Sequence, residues 1–401
     1  MIVGWRCAVC AATLDIATPL PWKCQNATAA DPHHVLHLIE AGPPAAVLGG
    51  PNPFIAYGPR LAWWQFARAR GLTAGACEAL TGEVAGQFAV TPFACSAALS
   101  SELGIDVWVK DETGNVGGSH KARHLASILL HLRAAETLGL LGGRAPLAIS
   151  SCGNAAVAAA TLAAAVDWPL EVFVPEWADP AVVAILDGLG ATVQHCPRRT
   201  GDPPGDPALL RFREAVLAGA VPFSVQGPEN ATCLDGGRTI GWEIADQAAA
   251  AGVRLAAAYV QVGGGALAAC LGQGLGPDVA LRVVQAAGAA PLDAALRRAA
   301  ELAHPERHWG EVMQAWPDPR SSADGIVDDE TYDWIAVREA IAASGGHSVV
   351  VPESVVAGAH ALATRAGFPV SATGSAGWAG ALADERRGRG PIVVVMSGVA
   401  R

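Results

Sequence analysis

The chain of 401 residues has few charged side chains and few aromatic ones. Only 16% of its residues are Asp, Glu, Lys or Arg, and 6% are Phe, Trp or Tyr. With 27 Lys and Arg against 37 Asp and Glu, it carries a formal net charge of −10 and has no basic stripe. This charge argues against nucleic acid and against an anionic membrane surface as the main partner.

The sequence also lacks the patterns of several enzyme classes. It has no GxSxG elbow, no HExxH and no GxxxxGK[ST] loop, which excludes triad hydrolases, zincins and P-loop kinases. The longest alanine-rich run, 155–166, stops at Asp167 and is too short to cross a bilayer. The first residues show no basic leader before an apolar stretch, so we expect neither a signal peptide nor a membrane segment.

Nine cysteines are scattered along the chain, an odd number without the spacing of a disulfide framework. We therefore predict a reduced, cytoplasmic setting. Cys7, Cys10 and Cys24 form a CxxC pair with a third thiol, and His33 or His34 could complete a zinc tetrahedron. Because a second CxxC is absent, we predict that this cluster is merely buried and that the protein holds no metal.

The most informative stretch is VWVKDETGNVGGSHKARHLASILL, residues 107–130. It predicts a buried strand over 107–110, a glycine-rich turn and a helix that begins near Ser119. Lys121 falls in the first turn of that helix, where free amides and the helix dipole disfavour a cation. A lysine kept partly neutral there is suited to condensing with an aldehyde. The alternative is a solvated lysine on an ordinary helix.

Two further turns join a predicted strand to a predicted helix. In SCGN, residues 151–154, a glycine permits close backbone approach, and the alanine-rich helix that follows offers free amides to an anion. In VGGGAL, three successive glycines at 263–265 can surround a phosphate. This spacing also fits a dinucleotide fold. The next strand, however, ends at Gln285 instead of an acidic residue that would hold a ribose, which disfavours a nicotinamide cofactor.

Four motifs together resemble the fold-type II pyridoxal phosphate (PLP) enzymes, the group that contains threonine synthase, serine/threonine dehydratase, cysteine synthase and tryptophan synthase β. They are NVGGSHKAR, SCGN, VGGGAL and the terminal PIVVVMSG, and they stand in the family's order between about residues 52 and 398. The family's lysine motif is commonly NPTGSFKxR. Here Val116 and Gly117 replace its Pro-Thr pair, and His120 replaces its Phe.

The resemblance implies PLP as the cofactor and a role for each motif residue. Lys121 would form the Schiff base and move the α-proton, Asn154 would bond the cofactor's 3′-oxygen, and the Ser397 hydroxyl would face the pyridine nitrogen. The cofactor phosphate would lie against Gly263, Gly264, Gly265, Ala266 and Leu267. The substrate α-carboxylate would lie against Ser151, Cys152 and Ala155.

The alternation of strands and helices predicts an α/β protein with parallel sheets covered on both faces. The resemblance implies two such αβα domains of the tryptophan synthase β-like fold. We predict an N-terminal cysteine-containing segment over 1–40, a large PLP-binding domain over 41–124 and 222–401, and a smaller mobile domain over 125–221. The family is commonly dimeric, so a homodimer is expected.

The resemblance further implies a lyase that abstracts the α-proton of a small amino acid and eliminates a β-substituent, like the serine/threonine dehydratases. ADGI at 323–326 favours this activity. The close alternative is threonine synthase, in which phosphate leaves the γ-carbon of O-phosphohomoserine and water adds at the β-carbon. NPFIAY at 52–57 and the N-terminal cysteines favour it, and Arg198 and Arg199 could grip its phosphate. A non-catalytic or NAD-binding Rossmann-like protein is the alternative from another class.

Overall fold

In the part of the chain that the structure describes, the strand-forming runs assemble into three separate sheets. The computed structural model describes residues 1–28, 31–203 and 205–400. In chain order, its strands are β1 (Ile2–Cys7), β2 (Thr13–Asp15), β3 (Leu36–Glu40), β4 (Phe93–Cys95), β5 (Val107–Asp111), β6 (Leu147–Ser150), β7 (Leu170–Val174), β8 (Thr192–His195), β9 (Val221–Pro222), β10 (Ala257–Gln261), β11 (Ala280–Ala286), β12 (His347–Val351) and β13 (Ile392–Met396).

The helices cover these sheets and connect their strands. They are α1 (Pro53–Ala56), α2 (Ala62–Ala69), α3 (Ala74–Ala85), α4 (Ala97–Leu103), α5 (Lys121–Thr137), α6 (Asn154–Ala165), α7 (Pro180–Gly188), α8 (Pro207–Leu217), α9 (Cys233–Gly236), α10 (Arg238–Ala250), α11 (Ala266–Leu275), α12 (Pro291–Ala299), α13 (Trp309–Val312), α14 (Trp334–Ser344), α15 (Glu353–Arg365) and α16 (Ala372–Ala383). No helix in the described ranges is both long and apolar enough to cross a bilayer.

Two of the sheets are built from parallel strands. The six-stranded sheet has the order β12-β11-β10-β13-β5-β4 and is parallel except for the edge strand β4. The four-stranded sheet has the order β8-β7-β6-β9 and is parallel throughout. The N-terminal sheet, β2-β1-β3, is antiparallel. This arrangement confirms the predicted α/β class with two parallel sheets.

The burial of strand β13 explains why its sequence is apolar at every position. Its residues, IVVVM, are all buried, because helices cover both faces of the sheet and a strand in that position needs no polar side. Its two neighbours are β10 and β5, so it lies near the centre of the sheet. The buried strand that was predicted before the lysine turn is β5, and it pairs with β13 in parallel.

A single apolar core joins the four-stranded sheet to helices from an earlier part of the chain. Phe54, Trp63 and Phe66 pack in the same cluster as the apolar residues of α5 and α6. The boundary predicted between residues 124 and 125 falls inside the continuous helix α5. A hinge at that point would have to bend this helix, and the domain division remains a prediction.

A buried network of charged side chains holds α5 against β5 and α10. Arg123 binds Glu112 at 2.8 Å and Glu243 at 2.5 Å, and Lys110 binds Glu243 at 2.5 Å. These four side chains are 0% exposed, and their two positive and two negative charges balance. The Thr91 hydroxyl donates to Glu112 at 2.5 Å. Since Arg123 lies two residues beyond Lys121, this network fixes the start of the lysine helix.

We expect the substitution Glu243→Gln to destabilise the protein by about 3 kcal/mol or more, because it leaves buried positive charge uncompensated. The measurement is the free energy of unfolding from urea titration at fixed cofactor concentration.

The matched control is Glu311→Gln, which removes an exposed carboxylate 3.0 Å from Nδ1 of the exposed His308. Exposed pairs contribute little, so its effect should stay below about 1 kcal/mol. Equal effects of the two substitutions would contradict the role given to the buried network.

Candidate active site

The lysine turn follows β5 and leads directly into α5. Gly117 and Gly118 have positive φ angles of 67° and 73°, which favour glycine. A Cβ atom on Gly117 would lie 3.1 Å from the Cα of Ala158 in α6, so the turn packs closely against that helix. Lys121 is the first residue of α5. The expected order of strand, glycine turn and helix is present, with the helix two residues later than predicted.

The Lys121 amine has an environment that favours its neutral form. Burial lowers the pKa of Lys121, and the nearby carboxylates of Asp328 and Asp333 offset part of that effect. A lysine whose pKa is lowered by burial more readily loses its proton and becomes a nucleophile or a base. This direction is the one that a Schiff-base lysine needs, and the role of Lys121 remains a prediction.

The end of β13 binds the same turn. The backbone N–H of His120 donates to the Ser397 hydroxyl at 3.0 Å, and Nδ1 of His120 lies 2.6 Å from that oxygen. The N–H of Val399 donates to the carbonyl of Gly118 at 2.9 Å. Burial holds the pKa of His120 well below its usual value, so this imidazole is neutral. Ser397 is therefore paired with a neutral partner.

The SCGN loop lies next to the end of β13. Asn154 is the first residue of α6, and a Cβ atom on Gly398 would lie 3.2 Å from its Nδ2 atom. Ser151 and Cys152 precede it in the loop, and Ala155 is buried in the first turn of the helix. Burial raises the pKa of Cys152, which keeps it a thiol. This loop can therefore offer polar groups and helix amides, but no reactive thiolate.

The glycine turn at 263–265 precedes α11 and has no room for side chains. A Cβ atom on Gly264 would lie 3.1 Å from the ring of Tyr332, and one on Gly265 would lie 3.0 Å from Thr331. Gly265 also has a positive φ of 102°. The next two residues, Ala266 and Leu267, are buried at the start of the helix. The three glycines are therefore required by the backbone and by its neighbours.

An internal carboxylate already accepts one amide of this turn. The backbone N–H of Gly264 donates to Asp328, and burial raises the pKa of Asp328 to about 6. Burial also raises the pKa of Asp333 to about 7, although its carboxylate accepts the N–H of Gly227 at 3.1 Å. An amide turn at a helix start that binds one anion has the donors that a phosphate needs. The residues present thus fit the phosphate of PLP, with Asp328 as its competitor.

The structure brings the four motifs to one place. The lysine turn contacts the end of β13, the SCGN loop adjoins that end, and Asp328 links the glycine turn electrostatically to Lys121. The role of each residue toward the cofactor and substrate remains a prediction. Sequence analysis missed Asp328 and Asp333 as neighbours of the lysine. The only signal for them was the acidic run VDDETYD directly after ADGI, whose place in space the sequence does not give.

The two arginines that the sequence offered as phosphate ligands bind neighbouring residues of their own loop and of α8. Arg198 donates to the carbonyl of Pro203 at 2.9 Å, and Arg199 is an exposed partner of Glu214. Gln285, one residue before the end of β11, lies beside the glycine turn. Its Nε2 donates to the carbonyl of Val262 at 3.3 Å, and its Oε1 accepts the N–H of Leu292 at the start of α12 at 3.0 Å.

Comparisons with known proteins agree with this site. A family described as "Pyridoxal-phosphate dependent enzyme" matches residues 84–398. Proteins named "Serine dehydratase-like" from Rattus norvegicus and Mus musculus are each 36% identical over 105 residues, which is 26% of this chain. That match spans 30% of the length of each of these relatives.

Solved structures of this family share the fold over most of the chain. A T.th. threonine deaminase has a TM-score of 0.64 at 25% identity, covering 81% of this chain and 97% of that one. A serine racemase from Dictyostelium discoideum has a TM-score of 0.64 at 18% identity, with 81% and 97% covered. An L-serine ammonia-lyase from Rhizomucor miehei has a TM-score of 0.62 at 18% identity, with 78% and 95% covered.

The family match begins before the lysine strand and ends just after the serine of the last strand, so it contains every part of the site. The chain therefore belongs to the pyridoxal-phosphate dependent enzyme family, with the fold-type II architecture and pyridoxal phosphate as its cofactor.

Proposed function

We propose that this protein is a lyase that abstracts the α-proton of a small amino acid and eliminates a β-substituent, as a serine/threonine dehydratase does. The observation that carries the proposal is the position of Lys121 at the start of α5, directly after a turn that bonds the end of β13 beside the SCGN loop. Burial lowers the pKa of this amine. Such an amine can serve first as the attachment point and then as the base.

The chain offers a partner for each part of the cofactor. Lys121 would hold its aldehyde carbon, the glycine turn with Ala266 and Leu267 would hold its phosphate, Ser397 would face its ring nitrogen, and Asn154 would face its 3′-oxygen. When bound, PLP supplies an electron sink for the negative charge that develops at the substrate α-carbon. The turn fits a phosphate because its amides and the start of α11 favour an anion.

The substrate carboxylate has a suitable binding place in the SCGN loop. Ser151 and Cys152 offer polar atoms there, and the first turn of α6, with Ala155, offers backbone amides at its positive end. These groups would orient the α-carbon toward Lys121. The small side chains of this loop suit a substrate that has no bulky group beside its carboxylate.

Proton transfer is assigned to Lys121, because burial lowers its pKa and makes a neutral amine available to take the α-proton. The Ser397 hydroxyl, paired with the neutral His120, cannot hold a full positive charge on the ring nitrogen as a carboxylate would. The weaker electron sink that results suits elimination, in which departure of the β-hydroxyl relieves the charge.

The environment of the lysine also favours a dehydratase over a threonine synthase. With the cofactor phosphate at the glycine turn, a second phosphate on the substrate would add further negative charge beside Asp328 and Asp333, which lie near Lys121. Arg198 and Arg199, the candidate phosphate ligands of the sequence, are held by exposed local contacts instead. A homodimer in the cytoplasm remains our prediction for the assembly and the setting.

The decisive experiment compares L-serine, L-threonine and O-phosphohomoserine as substrates of the purified protein with PLP. We expect a keto acid and ammonia from one or both hydroxy amino acids. Release of phosphate from O-phosphohomoserine alone would establish the threonine synthase alternative. Conversion of L-serine to D-serine without release of ammonia would show that the activity is racemisation and not elimination.

Replacement of Lys121 by alanine should abolish covalent attachment of the cofactor, read as a labelled peptide after borohydride reduction, and lower turnover by roughly 10³-fold, because both attachment and proton transfer are lost. The control Lys23→Ala alters a lysine whose partner is Glu229, 2.8 Å away, and should retain both the label and the turnover. A labelled peptide in the Lys121 variant would place the attachment elsewhere.

The substitution Asp328→Asn should tighten PLP binding by roughly tenfold, measured as the dissociation constant from cofactor titration. The asparagine removes the charge that would repel the cofactor phosphate while keeping the shape of the side chain, and a tenfold change corresponds to about 1.4 kcal/mol.

The pH dependence gives this experiment its control. The wild-type carboxyl takes up its own proton as the pH falls through about 6, so the advantage of the variant should shrink below that pH. Asp329→Asn, one residue farther along the loop, should give a smaller gain. Weaker PLP binding in Asp328→Asn would contradict this prediction and show that the carboxyl group contributes to cofactor binding.

A further inference from the structure

The N-terminal sheet brings three cysteines and a histidine to one point. Cys7 ends β1, Cys10 lies in the turn to β2, His34 lies just before β3, and Cys24 lies in the intervening loop. One ligand atom from each of these residues lies within 4.8 Å of all the others. We propose that these four side chains bind a structural zinc ion.

The distances match those of a zinc tetrahedron. The sulfurs of Cys10 and Cys24 lie 3.7 Å apart, and the sulfur of Cys7 lies 3.5 Å from Nδ1 of His34. Two sulfurs bound to one tetrahedral zinc at ~2.3 Å lie about 3.8 Å apart. The sulfur–sulfur and sulfur–nitrogen distances are therefore close to those between two ligand atoms of one zinc ion. Three sulfurs and one imidazole nitrogen also form a donor set that suits zinc.

Hydrogen bonds to the sulfurs indicate sites for thiolates. The backbone N–H of Cys10 points at the sulfur of Cys7 at 3.5 Å, and that of Asn26 points at the sulfur of Cys24 at 3.4 Å. The side-chain amide of Asn26 donates to the sulfur of Cys10 at 3.3 Å. Each sulfur thus faces an N–H donor, which stabilises negative charge on it. Metal-bound sulfur carries that charge.

The histidine is oriented by a second residue. Nε2 of His34 lies 3.0 Å from the carboxylate of Asp31, which leaves Nδ1 directed at the cysteines. A carboxylate behind a metal-bound imidazole fixes its tautomer and its direction. The sequence argument against a metal relied on the missing second CxxC. Here a single histidine, placed by β3, supplies the fourth ligand instead.

A disulfide explains the cluster less well. All three cysteines are free, and the 3.7 Å between the sulfurs of Cys10 and Cys24 exceeds the bonded length of about 2.05 Å. A disulfide between them would also leave Cys7 and His34 without a common partner. A zinc ion satisfies all four groups at once.

The proposed site also anchors the loop that joins the N-terminal sheet to the rest of the protein. Next to Cys24, Lys23 binds the buried Glu229, and the Trp22 carbonyl accepts the N–H of Ala231 at 2.9 Å. The following residues enter α9, where the carbonyl of Cys233 lies 2.9 Å from Nδ1 of His124 in the lysine helix. We therefore assign the ion a structural role.

The test is the metal content of the purified full-length protein, measured by mass spectrometry of the elements after dialysis. We expect about one zinc per chain in the wild type. Cys10→Ser and His34→Gln should lose most of it, while Asp31→Asn should keep the ligands but bind zinc about 10- to 100-fold more weakly in a chelator competition.

Two controls change the same residue types outside the cluster. Cys95→Ser alters an exposed thiol, and His33→Gln alters a ring stacked on Trp309 at 4.4 Å. Both should keep the wild-type zinc content. The proposal is overturned by a wild-type protein that takes up no zinc even when Zn²⁺ is added, by tight binding of iron instead, by a Cys10–Cys24 disulfide, or by full zinc content in Cys10→Ser and His34→Gln. The wild-type measurement needs no substituted protein to fold, and metal content is read without substrate, so the result is independent of the proposed reaction.

Discussion

The position of the reactive lysine depends on a charge balance two residues away from it. Arg123 is fully buried and is paired with Glu112, which follows β5, and with Glu243 of α10. A buried guanidinium is tolerated only where carboxylates surround it, so the start of α5 has one allowed place relative to the large sheet. Lys121 lies two residues earlier in the same helical turn, so the contacts of Arg123 also fix its position.

The site combines this fixed frame with groups whose charge is adjustable. Its positive elements are the amides that begin α6 and α11, which attract anions without a positively charged side chain. Its negative elements are Asp328 and Asp333, whose pKa values are raised to about 6 and 7 by burial. Near neutral pH a small change in surroundings can therefore alter their charge. The site can thus accept an anion without being strongly positive beforehand.

Much of this architecture could be predicted from the sequence, because its signals are local. Glycines at 117 and 263–265 mark places where backbone geometry or close packing excludes a side chain, and continuous apolar runs mark strands covered on both faces. The resemblance to a known family then supplied the connection among the motifs. What could not be predicted were contacts between distant segments: Asp328 on the glycine turn, His120 on Ser397, and His34 beside Cys7. Such pairings depend on the fold, and neither periodicity nor spacing encodes them.

The central place of β13 has a consequence for how the molecule is made. This strand separates β10, β11 and β12 from β5 and β4, so the two parts of the large sheet gain their shared hydrogen bonds only when residues 392–396 have left the ribosome. Until then the nascent chain exposes an unpaired, apolar edge along β5, a surface prone to association that chaperones bind. Ser397 arrives with the same strand. Completion of the large sheet and arrival of Ser397 are therefore one event, which follows synthesis of the other strands of that sheet.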